Sequence, residues 1–260
     1  MPNDKALAVT RRPRRVKLII AYDGTGFSGW QSQAKGDAIQ DRIEAAFAQV
    51  VNQKIRVHGA GRTDAGVHAL EQCAHADVTA SLQPDVLLAA LNASLPPAIR
   101  ILRCQFVAPT FHARFDARGK VYRYRIATTP VLSPFELGRA WHVRGPLDET
   151  VLRACAQEFL GRHDFADFAA NRGQPVNSTM RTIRKVRVQR TRAQTTIEFE
   201  GDGFLYKMVR LMVGAIVRCG LGRSSLDEVR GRLRGAPSGA TGRDRFVAPA
   251  AGLTLVRVLY

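Results

Sequence analysis

"HGAGRTDAGVHAL", residues 58–70, decides the reading of the fold because it joins two strands directly. A short β-like run, 55–58, enters it and a second, 73–78, leaves it, with no helical period between them. Upstream, residues 37–51 place Ile39, Ile43, Phe47 and Val50 on one helical face, with Asp37 as the expected N-cap and Gln40 completing a capping box. Downstream, "PDVLLAALNASL" opens a helix near Pro84. "VKLIIAYDG" and "ILRCQFVA" supply the first and last strands of this half. The resulting order, strand, helix, strand, strand, helix, strand, is the split βαβ of ferredoxin-like (RRM-like) units.

The second half repeats that order. Strand 121–127 precedes a helix at 147–160 stopped by Gly161. Strands 182–190 and 195–200 and helices 204–219 and 226–234 follow, and "GLTLVRVLY" closes as a buried strand. The expected class is α+β, with two tandem βαββαβ halves at 16–107 and 120–260 and a connection at 108–119. Residues 1–15, polar and basic, read as a flexible arm.

The 260 residues carry 39 Lys+Arg against 22 Asp+Glu, a formal net charge of +17. Such a field attracts polyanions, and the excess is mostly arginine, which forks onto phosphates and stacks on bases. Arginine-rich composition also follows from genomic base usage alone. Cys73, Cys104, Cys155 and Cys219 have no paired spacing and read as reduced thiols. No apolar run has the length of a membrane span, and the basic opening leads into too short an apolar stretch for a signal peptide, so a cytoplasmic protein is expected.

The glycine loop fails two phosphate-binding patterns. A dinucleotide fingerprint would need glycine where Asp64 stands, and Gly66 is followed by Val67 and not by Lys-Ser/Thr. His58, His68, Cys73 and His75 offer zinc-ligating atoms without the spacing of a structural site. For Asp64 the plain reading is a turn carboxylate that accepts from backbone amides. The sharper one is an ionised nucleophile. Arg62, two residues away, reaches the same side of an extended loop, and a nearby cation favours the charged carboxylate. Glycines 59, 61 and 66 would then let the backbone pass close to a nucleotide.

Helix 204–219 is apolar nearly all round, yet Lys207, Arg210 and Gly214 share one stripe. An arginine there needs a partner. Glu198 or Glu200, a hydrated helix edge, or Asp64 would each serve. "KVYRYRIA" alternates, with Tyr122, Tyr124 and Ile126 on one face and Val121, Arg123 and Arg125 on the other. Its tyrosines suit a core or a platform for unpaired bases. Arg181 to Arg192 adds a basic hairpin suited to phosphates.

"YDGTGFSGWQ", "GRTDAGVHA", "FHARFDA", "KVYRY", "HDF", "GFLYKMVRLMVG" and "GLTLVRVLY" together resemble the tRNA pseudouridine synthase A family, in register from about residue 16 to 260. The resemblance implies Asp64 as catalytic nucleophile and Tyr122 as the tyrosine that stacks on the target uracil. It implies Arg62 as the arginine that turns the nucleotide out, and Arg210 as the partner of the nucleophile. It further implies an antiparallel sheet with a central cleft, a homodimer, and no cofactor or metal. The implied substrate is uridine at positions 38, 39 and 40 in the anticodon arm of tRNA. The basic arm before Val16 departs from the pattern. The alternative is a non-catalytic RNA-binding protein or RNA chaperone, which leaves the Arg62/Asp64 loop without a role. A metal-dependent nuclease or deaminase would need clustered carboxylates or an HxE with PCxxC pattern, which the sequence lacks.

Overall fold

Strand β1 (Arg14–Tyr22) alternates as its sequence demands, burying Val16, Leu18, Ile20 and Tyr22 and leaving Arg15 and Lys17 partly exposed. The computed structural model describes residues 12–79, 81–170, 177–235 and 246–260. Most of the basic arm lies outside the described residues, but Arg14 and Arg15 already belong to β1.

The first half continues with α1 (Ile39–Val51), β2 (His58–Gly59), β3 (His68–Val78), α2 (Pro84–Ser94) and β4 (Ile99–Val107). The second holds β5 (Gly119–Ala127), β6 (Trp141–His142), α3 (Glu149–Gln157), β7 (Gly161–Asp164) and β8 (Met180–Arg190), then β9 (Gln194–Gly201), α4 (Met208–Gly220), α5 (Leu226–Leu233) and β10 (Leu253–Leu259). The sheet runs β4-β1-β3-β10-β5-β9-β8-β7, with β2 on β3 and β6 on β5.

The sheet is mixed, which corrects the expectation of a purely antiparallel one. Each half sets its strand directions by antiparallel pairing, β1 with β3 and β4, β5 with β9 and β10. The edges that meet then point the same way, so β10 joins β3 in parallel through Thr254–His68 and Leu255–Ala69. β6 also lies parallel to β5. One hydrophobic core runs through both halves, from Ile43 and Phe47 of α1 to Met212 and Ile216 of α4.

Three helix starts differ from the sequence expectation; α3 begins at Glu149 and not at 147, because Asp148 is its N-cap, accepting from the Val151 amide at 3.0 Å. Ala38, not Asp37, is the N-cap of α1. The Asp37 carboxylate accepts from the Ser28 hydroxyl, and Asp41 accepts from the Ala38 amide at 3.0 Å. Gln40 is buried instead of capping, donating to Glu44 Oε1 at 2.7 Å and to the Val57 carbonyl at 3.1 Å. Helix α4 starts at Met208 and not at residue 204, because Lys207 holds a left-handed backbone (φ 58°) that no helix can run through.

Candidate active site

Asp64 stands in the loop between β2 and β3, and that loop is fixed by its backbone. The Trp30 amide donates to the Thr63 carbonyl (3.1 Å), Gly66 N–H to Phe27 O (3.3 Å), and Gln72 Nε2 to Gly61 O (2.9 Å). The hydroxyls of Tyr22 and Thr63 bond at 2.9 Å. The clamp is therefore the segment "YDGTGFSGW". It fits only because Gly29 has φ +96° and no side chain: a Cβ there would collide with the Thr63 carbonyl. Gly59 serves packing and not a nucleotide, since its Cβ would lie 2.5 Å from the Trp30 indole nitrogen.

Helix α4 delivers the cation. Arg210 Nη1 donates to Asp64 Oδ2 at 3.0 Å, and its Nε donates to the Ala248 carbonyl at 2.7 Å. The Ala248 amide in turn bonds the Arg210 carbonyl at 3.1 Å, so one fork is oriented by two elements. The two side chains are 14% and 15% exposed, enclosed enough for the attraction to be strong while the carboxylate still reaches solvent. Of the partners weighed for Arg210, Glu198 pairs with Arg123 at 3.0 Å.

Tyr122 is buried, its ring edge-on to Phe204 with centroids 5.0 Å apart. Burial, and then the charges of Tyr22 and Asp64, push its phenol far above the ordinary value, so it stays protonated. Arg62 is exposed, and its Nε donates to Gln31 Oε1 at 2.9 Å. Gln31 donates to Gln40 at 2.8 Å, and Gln40 to Glu44. A polar chain thus runs from the loop into α1.

Sequence reading missed Gln31, Thr63, Phe204 and the Ala248 carbonyl. "SGWQ" beside the glycine turn was the signal for Gln31; nothing local marks Ala248. Of the zinc candidates, His58 stacks on His75 (centroids 5.0 Å), whereas His68 accepts from the Gly24 amide and faces the Gly138 carbonyl. Among the described residues no three His, Cys, Asp or Glu side chains gather as a metal would require.

Comparison with known proteins adds a family. The profile described as tRNA pseudouridine synthase matches residues 18–116 and 155–260. A protein named tRNA pseudouridine synthase A from Akkermansia muciniphila is 46% identical over 253 residues, covering 95% of this chain and 95% of its own. One from Solidesulfovibrio magneticus is 44% identical, covering 95% and 91%. One from Methylacidiphilum infernorum is 44% identical, covering 82% and 84%. With most of its length matched on both counts, this chain belongs to the tRNA pseudouridine synthase family, whose members are isomerases.

Proposed function

We propose that the enzyme converts uridine to pseudouridine at positions 38, 39 and 40 in the anticodon arm of tRNA, with Asp64 as nucleophile. The observation that carries this reading is the enclosed Asp64 carboxylate, 15% exposed and held 3.0 Å from Arg210.

The reaction breaks the bond from ribose carbon 1′ to N1 and forms one from carbon 1′ to carbon 5. Carbon 5 loses a proton and N1 gains one, so no external group or electron is needed. Asp64 attacks carbon 6 of the base, attacks carbon 1′, or promotes a glycal by its charge; each route needs an ionised, aimed carboxylate. Extruding the base costs a few kcal/mol. Arg62, exposed on the loop, fills the gap, and the Tyr122 ring holds the uracil. Arg210 keeps Asp64 in register.

Each half is read as a ferredoxin-like unit, 16–107 and 120–260. The orders β4-β1-β3-β2 and β10-β5-β9-β8 support this, since both set the four strands in the same antiparallel sequence. The same reading makes the enzyme a cytoplasmic homodimer that needs no cofactor.

Purified protein with unmodified tRNA tritiated at carbon 5 of uridine, in the presence of chelator, tests the proposal. Isotope is expected to be released from sites 38, 39 and 40. Tight binding without release would leave a non-catalytic RNA binder and overturn it.

A further inference from the structure

The end of β5 beside the Asp64 loop carries a cation that this chemistry does not use. Lys120 precedes Tyr122 by two residues in a strand paired without interruption to β9, so both side chains share a face, about 7 Å apart along the strand. Its ammonium lies against Gly61: a Cβ on residue 61 would stand 3.1 Å from Lys120 Cε and 3.3 Å from Nζ.

The charges that reach Lys120 are those of Arg114 and Arg181, both cations. Among the described residues no carboxylate pairs with it and no hydrogen bond takes its ammonium. Other partly buried cations of this protein have partners: Arg210 has Asp64, Arg15 has Asp77 and Arg125 has Glu136, while Arg100 donates to the Leu95, Pro96 and Ile99 carbonyls and Lys17 lies over the Phe111 and Tyr260 rings. Burial and then the two arginines push the Lys120 ammonium below its usual value, so its charge is held against both desolvation and repulsion. An anion from outside relieves both. Arg114 is exposed and available to the same ligand.

The geometry points to a phosphate site: Lys120, flanked by Arg114 and Arg181, takes a backbone phosphodiester of the RNA next to the nucleotide that enters the Asp64 site. This rests on the function proposed above and deepens it. Gly61 matters here because a side chain would displace the lysine tail from the loop. The site reads no base, so its contribution is to fix the register of the strand while Tyr122 receives the ring.

The test uses an Asp64→Asn background, in which RNA stays unconverted, and an anticodon-arm RNA. Affinity is measured across a salt series, with folding checked by circular dichroism and thermal melting. Lys120→Gln is expected to weaken binding several-fold at low salt and to reduce the slope of log affinity against log salt by about 0.7 to 0.9, the release of one counterion. Lys120→Arg should restore the slope. Replacing each phosphate flanking the target uridine in turn by an uncharged methylphosphonate should identify one position that weakens binding to the Lys120 protein and adds no further loss with Lys120→Gln.

An unchanged slope, or insensitivity to every flanking methylphosphonate, overturns the site. If Lys120→Gln fails to fold, the methylphosphonate series on the lysine-bearing protein decides alone. Isotope release by the wild-type enzyme keeps the two readings apart: release with an unchanged slope removes only the phosphate site, whereas absence of RNA binding in the wild type removes both.

Discussion

Asp64 and Arg210 are 146 residues apart in the chain and 3.0 Å apart in the fold. One sits on a loop of the first half and the other on a helix of the second, so the pair reports whether the halves are correctly seated. Asp64→Asn keeps the shape and removes the charge. Turnover is expected to fall at least about a thousandfold, with tRNA affinity largely kept because phosphate contacts carry most of it. Isotope release and filter binding measure the two quantities.

Arg210→Lys cannot hold Asp64 Oδ2 and the Ala248 carbonyl together. Arg210→Ala leaves both without this donor, at a cost of about 1–3 kcal/mol in urea unfolding. Lysine should recover part of the stability and little of the turnover. Full activity in the alanine variant would deny Arg210 any role in aiming the carboxylate.

Tyr122→Phe keeps the edge-on ring contact with Phe204 and deletes the hydroxyl. Because the phenol is pushed above its ordinary value of about 10, the wild-type rate should show no alkaline limb from this residue below about pH 10. Turnover equal to wild type in the phenylalanine variant would restrict Tyr122 to holding the base; a large loss would assign the hydroxyl a part in the chemistry.

Gly29→Ala tests the clamp from a distance, as residue 29 meets the Asp64 loop only through backbone. Displacing Thr63 moves its neighbour Asp64, so the turnover number should drop more than tRNA affinity. Equal losses of both would point to general unfolding.

His75 gives the fold a pH signature. Burial, and then the charges of His112 and His58, lower it to about 4, and its Nδ1 accepts from the Ala113 amide at 3.2 Å. The unfolded chain takes up a proton near pH 6.5 and the native one only near 4, so this contribution is complete above pH 6.5 and is lost as pH falls to 4. It amounts to up to about 3 kcal/mol. Urea unfolding at pH 7.5, 5.5 and 4.5 should show this fall, and His75→Gln should flatten it.

Much of the architecture is legible locally, because alternation in β1 and β5 and the 3.6 period of α1 are properties of short stretches. What escaped depends on distant neighbours. Asp37 has the composition of a cap, but the Ser28 hydroxyl claims it. "GFLYK" extends the apolar period of α4, yet Lys207 breaks the backbone there. Arg62 is bonded to Gln31, 31 residues away in the chain, which no local spacing announces. Arg210 was readable as an arginine in need of a partner. The spacing of its helix could not choose among the acids.

β10, which follows the other nine described strands in the chain, lies near the middle of the sheet between β3 and β5. During synthesis on the ribosome the first half can collapse early, but the seam cannot close until residues 253–259 emerge. A nascent chain that has reached only residue 252 therefore lacks the strand that joins β3 to β5.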